Sequence, residues 1–96
     1  MDAADPARLK MLSFRSWRRG FREADLIIGG FADQHLATLT PDQLDRFEAL
    51  LEAPDVDLYP WIMGVSPAPA EFDHDVMHLI QRFRLTAFET IGGRGG

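Results

Sequence analysis

The sequence predicts an all-α fold, a compact bundle of about five short helices. Three features carry that reading: apolar residues recur at helical spacing, no segment alternates strictly between apolar and polar, and proline, glycine and capping residues punctuate the chain at short intervals. Ninety-six residues suffice for one small domain with its own core. We expect residues 1–90 to form that single helical domain and 91–96, ending in Gly-Gly-Arg-Gly-Gly, to form a flexible tail without side chains to dock.

The first helix opens where Asp5 precedes Pro6, an N-cap followed by the one residue whose missing N–H costs nothing there. It continues through Leu9, Leu12, Phe14 and Trp17, and Gly20 ends or breaks it. A second helix is expected from Phe21 or Arg22 to about Leu39, with Ala24, Ile27, Ile28, Phe31, Leu36 and Leu39 at helical spacing. Gly29 and Gly30 sit in its middle and each costs roughly 1 kcal/mol relative to alanine, so a kink or a close helix contact is expected there.

The third helix has the clearest start. Thr40, Pro41 and Gln43 fall at N-cap, N1 and N3 as a capping box, with Leu39 and Leu44 as a hydrophobic staple. Leu44, Phe47, Leu50 and Leu51 form its inner stripe, and Pro54 ends it. For the fourth helix Asp57 is the expected cap, which places Pro60 in the first turn; Leu58, Trp61 and Ile62 face inward, and Gly64 stops it. An extended connector, Val65 to Ala70, leads to a fifth helix expected from about Ala70 to Phe88, burying Phe72, Val76, Leu79, Ile80 and Phe83.

Composition narrows the function. The 46% apolar and 26% charged content is that of an ordinary globular chain. No run approaches the roughly 20 apolar residues of a membrane span, so direct membrane insertion is not expected. With no cysteine there is no disulfide, thiolate nucleophile or cysteine-built zinc site. The arginine-bearing N-terminus differs from a transit peptide in carrying Asp2 and Asp5, and is read as part of the fold. Charge is unevenly spread. Residues 1–22 hold Arg8, Lys10, Arg15, Arg18, Arg19 and Arg22 against two acids, a net of +4, while residues 23–96 carry thirteen acids against four arginines, a net of −9. An acidic bulk repels phosphates, so a nucleic-acid partner is not expected, and the basic patch suits a protein with an acidic rim.

His74 and His78, four apart on one helix, imitate part of a zincin pattern, but the intervening acid is aspartate and no third ligand is evident, so no metal is assigned. A helix-turn-helix reading of Arg15, Arg18, Arg19 and Arg22 lacks a later basic or amide-rich helix to read bases. Trp61 and Tyr59 are read as core residues. No phosphate loop, nucleophile elbow or paired-carboxylate site is present, and no catalytic residue is assigned. What remains is Trp-Arg-Arg-Gly-Phe-Arg-Glu-Ala-Asp, residues 17–25, in which a glycine permits close backbone approach, arginines offer planar donors and Glu23 offers an acceptor. This is the composition of a contact surface, or else of a helix junction with a solvated charge cluster.

Arg19-Gly20-Phe21-Arg22-Glu23-Ala24-Asp25 resembles the R-G-x-x-E-x-D signature of the small succinate dehydrogenase assembly factors, the SdhE-type flavinylation factors and their mitochondrial counterparts. The similarity extends over roughly residues 12–85, through a glycine-phenylalanine step, a capped helix and Asp57-Leu58-x-x-Trp61. The chain departs from the family pattern in Ala24, where leucine is commoner, and in Gly30, where many members carry a larger residue. The resemblance implies a non-enzymatic, all-helical assembly factor that binds the flavoprotein subunit of succinate dehydrogenase, and in some cases fumarate reductase. It would promote covalent attachment of FAD to a histidine of that subunit without holding a cofactor stably itself. The implied setting is the bacterial cytoplasm, or the mitochondrial matrix in a eukaryote. The motif falls on Arg19, Gly20, Glu23 and Asp25, with Arg15, Arg18 and Arg22 as neighbouring partner-binding residues. The alternative from another class is a small helical nucleic-acid-binding or general interaction regulator.

Overall fold

The computed structural model describes residues 5–17 and 22–95, with side chains to residue 86. Asp5 accepts from the Ala7 N–H at 3.2 Å and opens α1 (Pro6–Ser16). Leu12 and Ser16 are its buried residues, and the Ser16 hydroxyl is satisfied by donating to the Leu12 carbonyl at 2.7 Å. Trp17 is the C-cap.

Helix α2 (Arg22–His35) buries Ala24, Ile27, Ile28, Gly29, Phe31 and Ala32. It stops four residues short of the expected Leu39, because Leu36–Thr38 tightens into a 3-10 turn. Thr38 Oγ1 donates to the His35 carbonyl at 2.7 Å, and Leu39 turns extended ahead of the next cap. The expected close contact at the double glycine is present on both residues. A Cβ on Gly29 would overlap the Trp17 indole, and one on Gly30 would meet the Phe83 ring at 3.2 Å. The helix cost of each glycine, about 1 kcal/mol, is thus exchanged for a bulky ring drawn close to the α2 backbone.

Helix α3 (Pro41–Leu51) starts as the sequence reads. Thr40 Oγ1 accepts from the Gln43 N–H at 3.2 Å, and Gln43 Oε1 accepts from the Thr40 N–H at 2.9 Å. Leu39 and Leu44 are both buried.

The next start is a correction. Helix α4 spans Asp55–Met63, so Asp57 lies inside its first turn instead of capping it, and Pro60 is internal. Extended Pro54 is the cap residue, its carbonyl accepting from Asp57 and Leu58. The carbonyl that Pro60 leaves without a donor belongs to Val56, a strongly exposed position where water can serve. Leu58 and Ile62 are buried, and half-buried Trp61 stacks on Phe72 with ring centroids 5.4 Å apart. Gly64 closes the helix with φ +77°, a left-handed C-cap that suits glycine.

Ala70–Phe72 forms a separate 3-10 turn, and α5 runs Asp75–Gly95, so the fifth helix begins five residues later and ends seven later than expected. Its start is fixed by His74, whose Nδ1 accepts from the Met77 N–H at 3.2 Å. Val76, Met77, Ile80 and Phe83 are buried, whereas Phe72 and Leu79 are only partly so. Helix α5 also closes α4: Gln81 Nε2 donates to the Trp61 carbonyl at 3.0 Å and Arg84 Nη1 to that of Met63 at 2.8 Å. Helix α1 packs on α2 and α3, while α5 packs on α2, α3 and α4. Phe31 meets Phe47 and Phe83, with ring centroids 5.8 and 5.9 Å away, and so joins α2, α3 and α5 at one point. The fold is all-α, with five α-helices among the described residues.

Candidate partner-docking site

The stretch singled out from sequence straddles the junction of α1 and α2. Arg18, Arg19 and Gly20 lie outside the described residues, as does Phe21. On the α2 side, Arg22 and Glu23 are exposed, Ala24 is buried at 1% exposure, and Asp25 is half-buried and engaged with another group of the chain. Ala24 fixes the rotation of the first turn, because once its methyl points into the core the neighbouring Glu23 projects outward. Glu23 and Asp25 both sit in that first turn, where negative charge complements the helix dipole.

On the α1 side, Arg15 has partners within the chain. Its guanidinium reaches Glu52 at 2.5 Å and Glu48 at 3.7 Å, both on α3. Two turns earlier Arg8 reaches Asp45 at 2.8 Å and Glu48 at 2.9 Å. The Arg8 guanidinium pKa is raised, first by the hydrogen bond to Asp45 and then by that to Glu48. These bonds lash α1 to α3, each worth at most about 1 kcal/mol at the surface. Sequence spacing groups Arg15 with the docking arginines; the fold gives it a bracing contact with α3.

Trp17 closes α1 beside the motif. Its indole lies on Gly29, with Cε3 2.8 Å from where a Cβ would stand, and its Nε1 donates to Asp33 Oδ1 at 3.4 Å. Ser13 donates to the same oxygen at 3.3 Å. Sequence reasoning placed Trp17 in the α1 stripe and did not connect it with the glycine twelve residues on. The one signal was an otherwise unprofitable glycine pair in mid-helix.

The two histidines are both occupied locally. His74 caps α5, and His78 Nε2 lies 2.7 Å from Asp73 Oδ1. Among the described residues no three histidine or carboxylate groups gather as a metal-ligand set, and no helix is long and apolar enough to cross a membrane.

The junction thus presents an exposed carboxylate and arginine at the start of α2, next to the Arg-Gly step carried by the sequence. A family model described as flavinator of succinate dehydrogenase matches residues 10–84, which span all of that geometry. This chain belongs to the succinate dehydrogenase flavinator family. It is 39% identical over 72 residues to "Succinate dehydrogenase assembly factor 2, mitochondrial" of Dictyostelium discoideum, covering 75% of this chain and 51% of that one. It is 42% identical over 65 residues to "FAD assembly factor SdhE" of Acetobacter pasteurianus, covering 68% and 60% respectively. The mitochondrial assembly factor 2 of Candida glabrata is 33% identical over 86 residues, 85% of this chain and 56% of that protein. The chain therefore aligns with about half to three fifths of the length of these relatives.

Proposed function

We propose that this chain is an assembly factor that binds the flavoprotein subunit of succinate dehydrogenase and promotes covalent attachment of FAD to a histidine of that subunit. Family membership supports this reading, since the matching model describes a flavinator of succinate dehydrogenase and a bacterial relative is called an FAD assembly factor. The observation that carries it on this chain is Glu23. It is exposed in the first turn of α2, three residues beyond Gly20, in a helix whose rotation buried Ala24 fixes.

In this mechanism the chain performs no chemistry. The flavin bond forms within the flavoprotein, whose own side chains and bound FAD supply the reacting groups. The assembly factor selects the flavoprotein conformation in which histidine and flavin are correctly disposed, a contribution of positioning. Gly20, lacking a Cβ, admits close approach of the partner backbone. Arg18, Arg19 and Arg22 pair with acidic groups, and Glu23 fixes the complementary donors, while Asp25, half-buried and engaged within the chain, lends its charge beside it. Arg15 contributes through its hold on α3 as well as through charge. On the same reading fumarate reductase is a second client. The factor acts in the cytoplasm of a bacterial host, or in the mitochondrial matrix of a eukaryotic one.

The test is to express the flavoprotein subunit with and without this chain and to read covalent flavin fluorescence after denaturing electrophoresis. A strong covalent signal that depends on the chain is expected; equal signals in both arms would refute the reading.

A further inference from the structure

Helix α1 buries Leu12 and carries a row of large apolar side chains across its outer face. Met11 is 47% exposed, Phe14 57% and the C-cap Trp17 38%, each three residues from the next and so neighbours on one helix surface. The other large apolar residues exposed among the described ones, Val56, Val65 and Leu85, lie on three separate segments: α4, the connector and α5. Single exposed apolar residues are ordinary on a protein surface, whereas a contiguous row marks a contact.

The row adjoins the exposed start of α2. Trp17 rests against Gly29 and donates to Asp33, and Ser13 reaches Asp33 as well, so α1 and α2 run in opposite directions. Half-buried Leu26 lies one turn from Glu23 and one turn from Gly29. A surface path from Glu23 over Leu26 to Trp17, Phe14 and Met11 therefore advances in steps of one helical turn. It follows about 9 Å of each helix. A specific protein contact buries about 800 Å² on each side. Arg22 and Glu23, two exposed side chains, fall well short of that, and the apolar row is the surface next to them. Methionine and aromatic residues are enriched at the centres of such contacts, with charge kept to the rim. Exposed Lys10, Arg22 and Glu23 border the row in that way.

We propose that Met11, Phe14 and Trp17 form the apolar centre of the contact with the succinate dehydrogenase flavoprotein, which meets them with an apolar recess, and that Arg22 and Glu23 lie at its edge. This rests on the docking reading above. The Trp17 indole is already held by Gly29 and Asp33, so it loses little freedom on binding. Phe14, the most exposed of the three, gains most from being covered.

The full-length chain, unaltered and as Phe14→Ala, Met11→Lys and Val65→Ala, is titrated with the purified flavoprotein subunit. Each free chain is also followed by thermal unfolding and sedimentation equilibrium. Phe14→Ala weakens binding about thirtyfold and Met11→Lys about tenfold. Val65→Ala, exposed but off the row, binds like the parent. All three unfold within about 4 °C of the parent, because the altered side chains stand at the surface. Parent-like affinity in Phe14→Ala, or equal weakening by Val65→Ala, overturns the proposal and leaves the docking reading standing. If Phe14→Ala does not fold, Met11→Lys decides in its place. A free chain that self-associates, and that Phe14→Ala dissociates without loss of flavoprotein affinity, makes the row a contact between copies and also overturns the proposal. An unaltered chain that does not bind the flavoprotein removes the docking reading and this proposal with it.

Discussion

The imidazole of His74 and the backbone N–H of Met77 form the cap of α5, at 3.2 Å from Nδ1, and this bond exists only while Nδ1 is unprotonated. The His74 pKa is lowered from its ordinary 6.5, chiefly by burial, with Arg46 and His78 adding to the effect and Asp75 opposing it. A histidine held neutral by the fold stabilises fully above its unfolded value, and the contribution is lost as pH falls through the lowered folded one. Asp75 adds a second window. Its pKa is lowered from 3.8, first by the hydrogen bond from Gln43, so its contribution is present above 3.8 and disappears at still lower pH. Melting temperature therefore falls as pH drops below about 6.5. His74→Ala removes about 1 kcal/mol of capping energy, so it lowers the melting temperature at neutral pH and flattens that part of the slope.

Thr40 and Gln43 exchange two hydrogen bonds at the start of α3, and Gln43 Nε2 also donates to Asp75 across the α3–α5 contact at 3.0 Å. Thr40→Ala removes one half of the box and should cost about 1 kcal/mol. In a domain of this size that is a fall of about 4–8 °C in melting temperature, measurable by circular dichroism.

Arg84 donates to the Met63 carbonyl, where α4 runs out of helical partners. Replacing it by methionine keeps most of the stem but strands a partly buried carbonyl. A loss of about 1–3 kcal/mol is expected in urea unfolding with an unchanged m-value. An Arg84→Met variant as stable as the parent would show that water takes over that carbonyl.

Glu23 is exposed, so Glu23→Gln should leave stability within about 0.5 kcal/mol of the parent, while on the proposed function it lowers flavinylation of the succinate dehydrogenase flavoprotein sharply. Gly20→Ala should behave likewise. The decisive comparison is covalent flavin fluorescence of that flavoprotein at matched concentrations of folded chain. Full flavinylation by either variant would remove that residue from the docking surface.

Local chemistry was legible in the sequence, and contacts between distant residues were not. The capping box at Thr40, the αL stop at Gly64 and the inner stripe of α3 depend on neighbours three or four residues apart, and the structure has all of them. The start of α4 was misplaced because Pro60 reads as a first-turn proline. Its tolerance inside the helix depends on exposure at Val56, a property of the fold. The start of α5 was read through because histidine, unlike serine or aspartate, is an unusual cap acceptor. At the candidate site, the pairing of Arg15 with Glu48 and Glu52 spans more than thirty residues of sequence and leaves no local sign. The glycine pair at 29 and 30 did leave one, a propensity penalty without evident return, but not the identity of the rings that fill the space.

The ring of Phe31 touches those of Phe47 and Phe83 at once, so one side chain fastens three of the five helices. Losing α3 or α5 uncovers the Phe31 ring, and losing α2 uncovers the rings of Phe47 and Phe83, so none of the three melts without exposing core on another. Heat or urea should therefore take the domain apart in a single concerted event, with the same midpoint by fluorescence and by helix content.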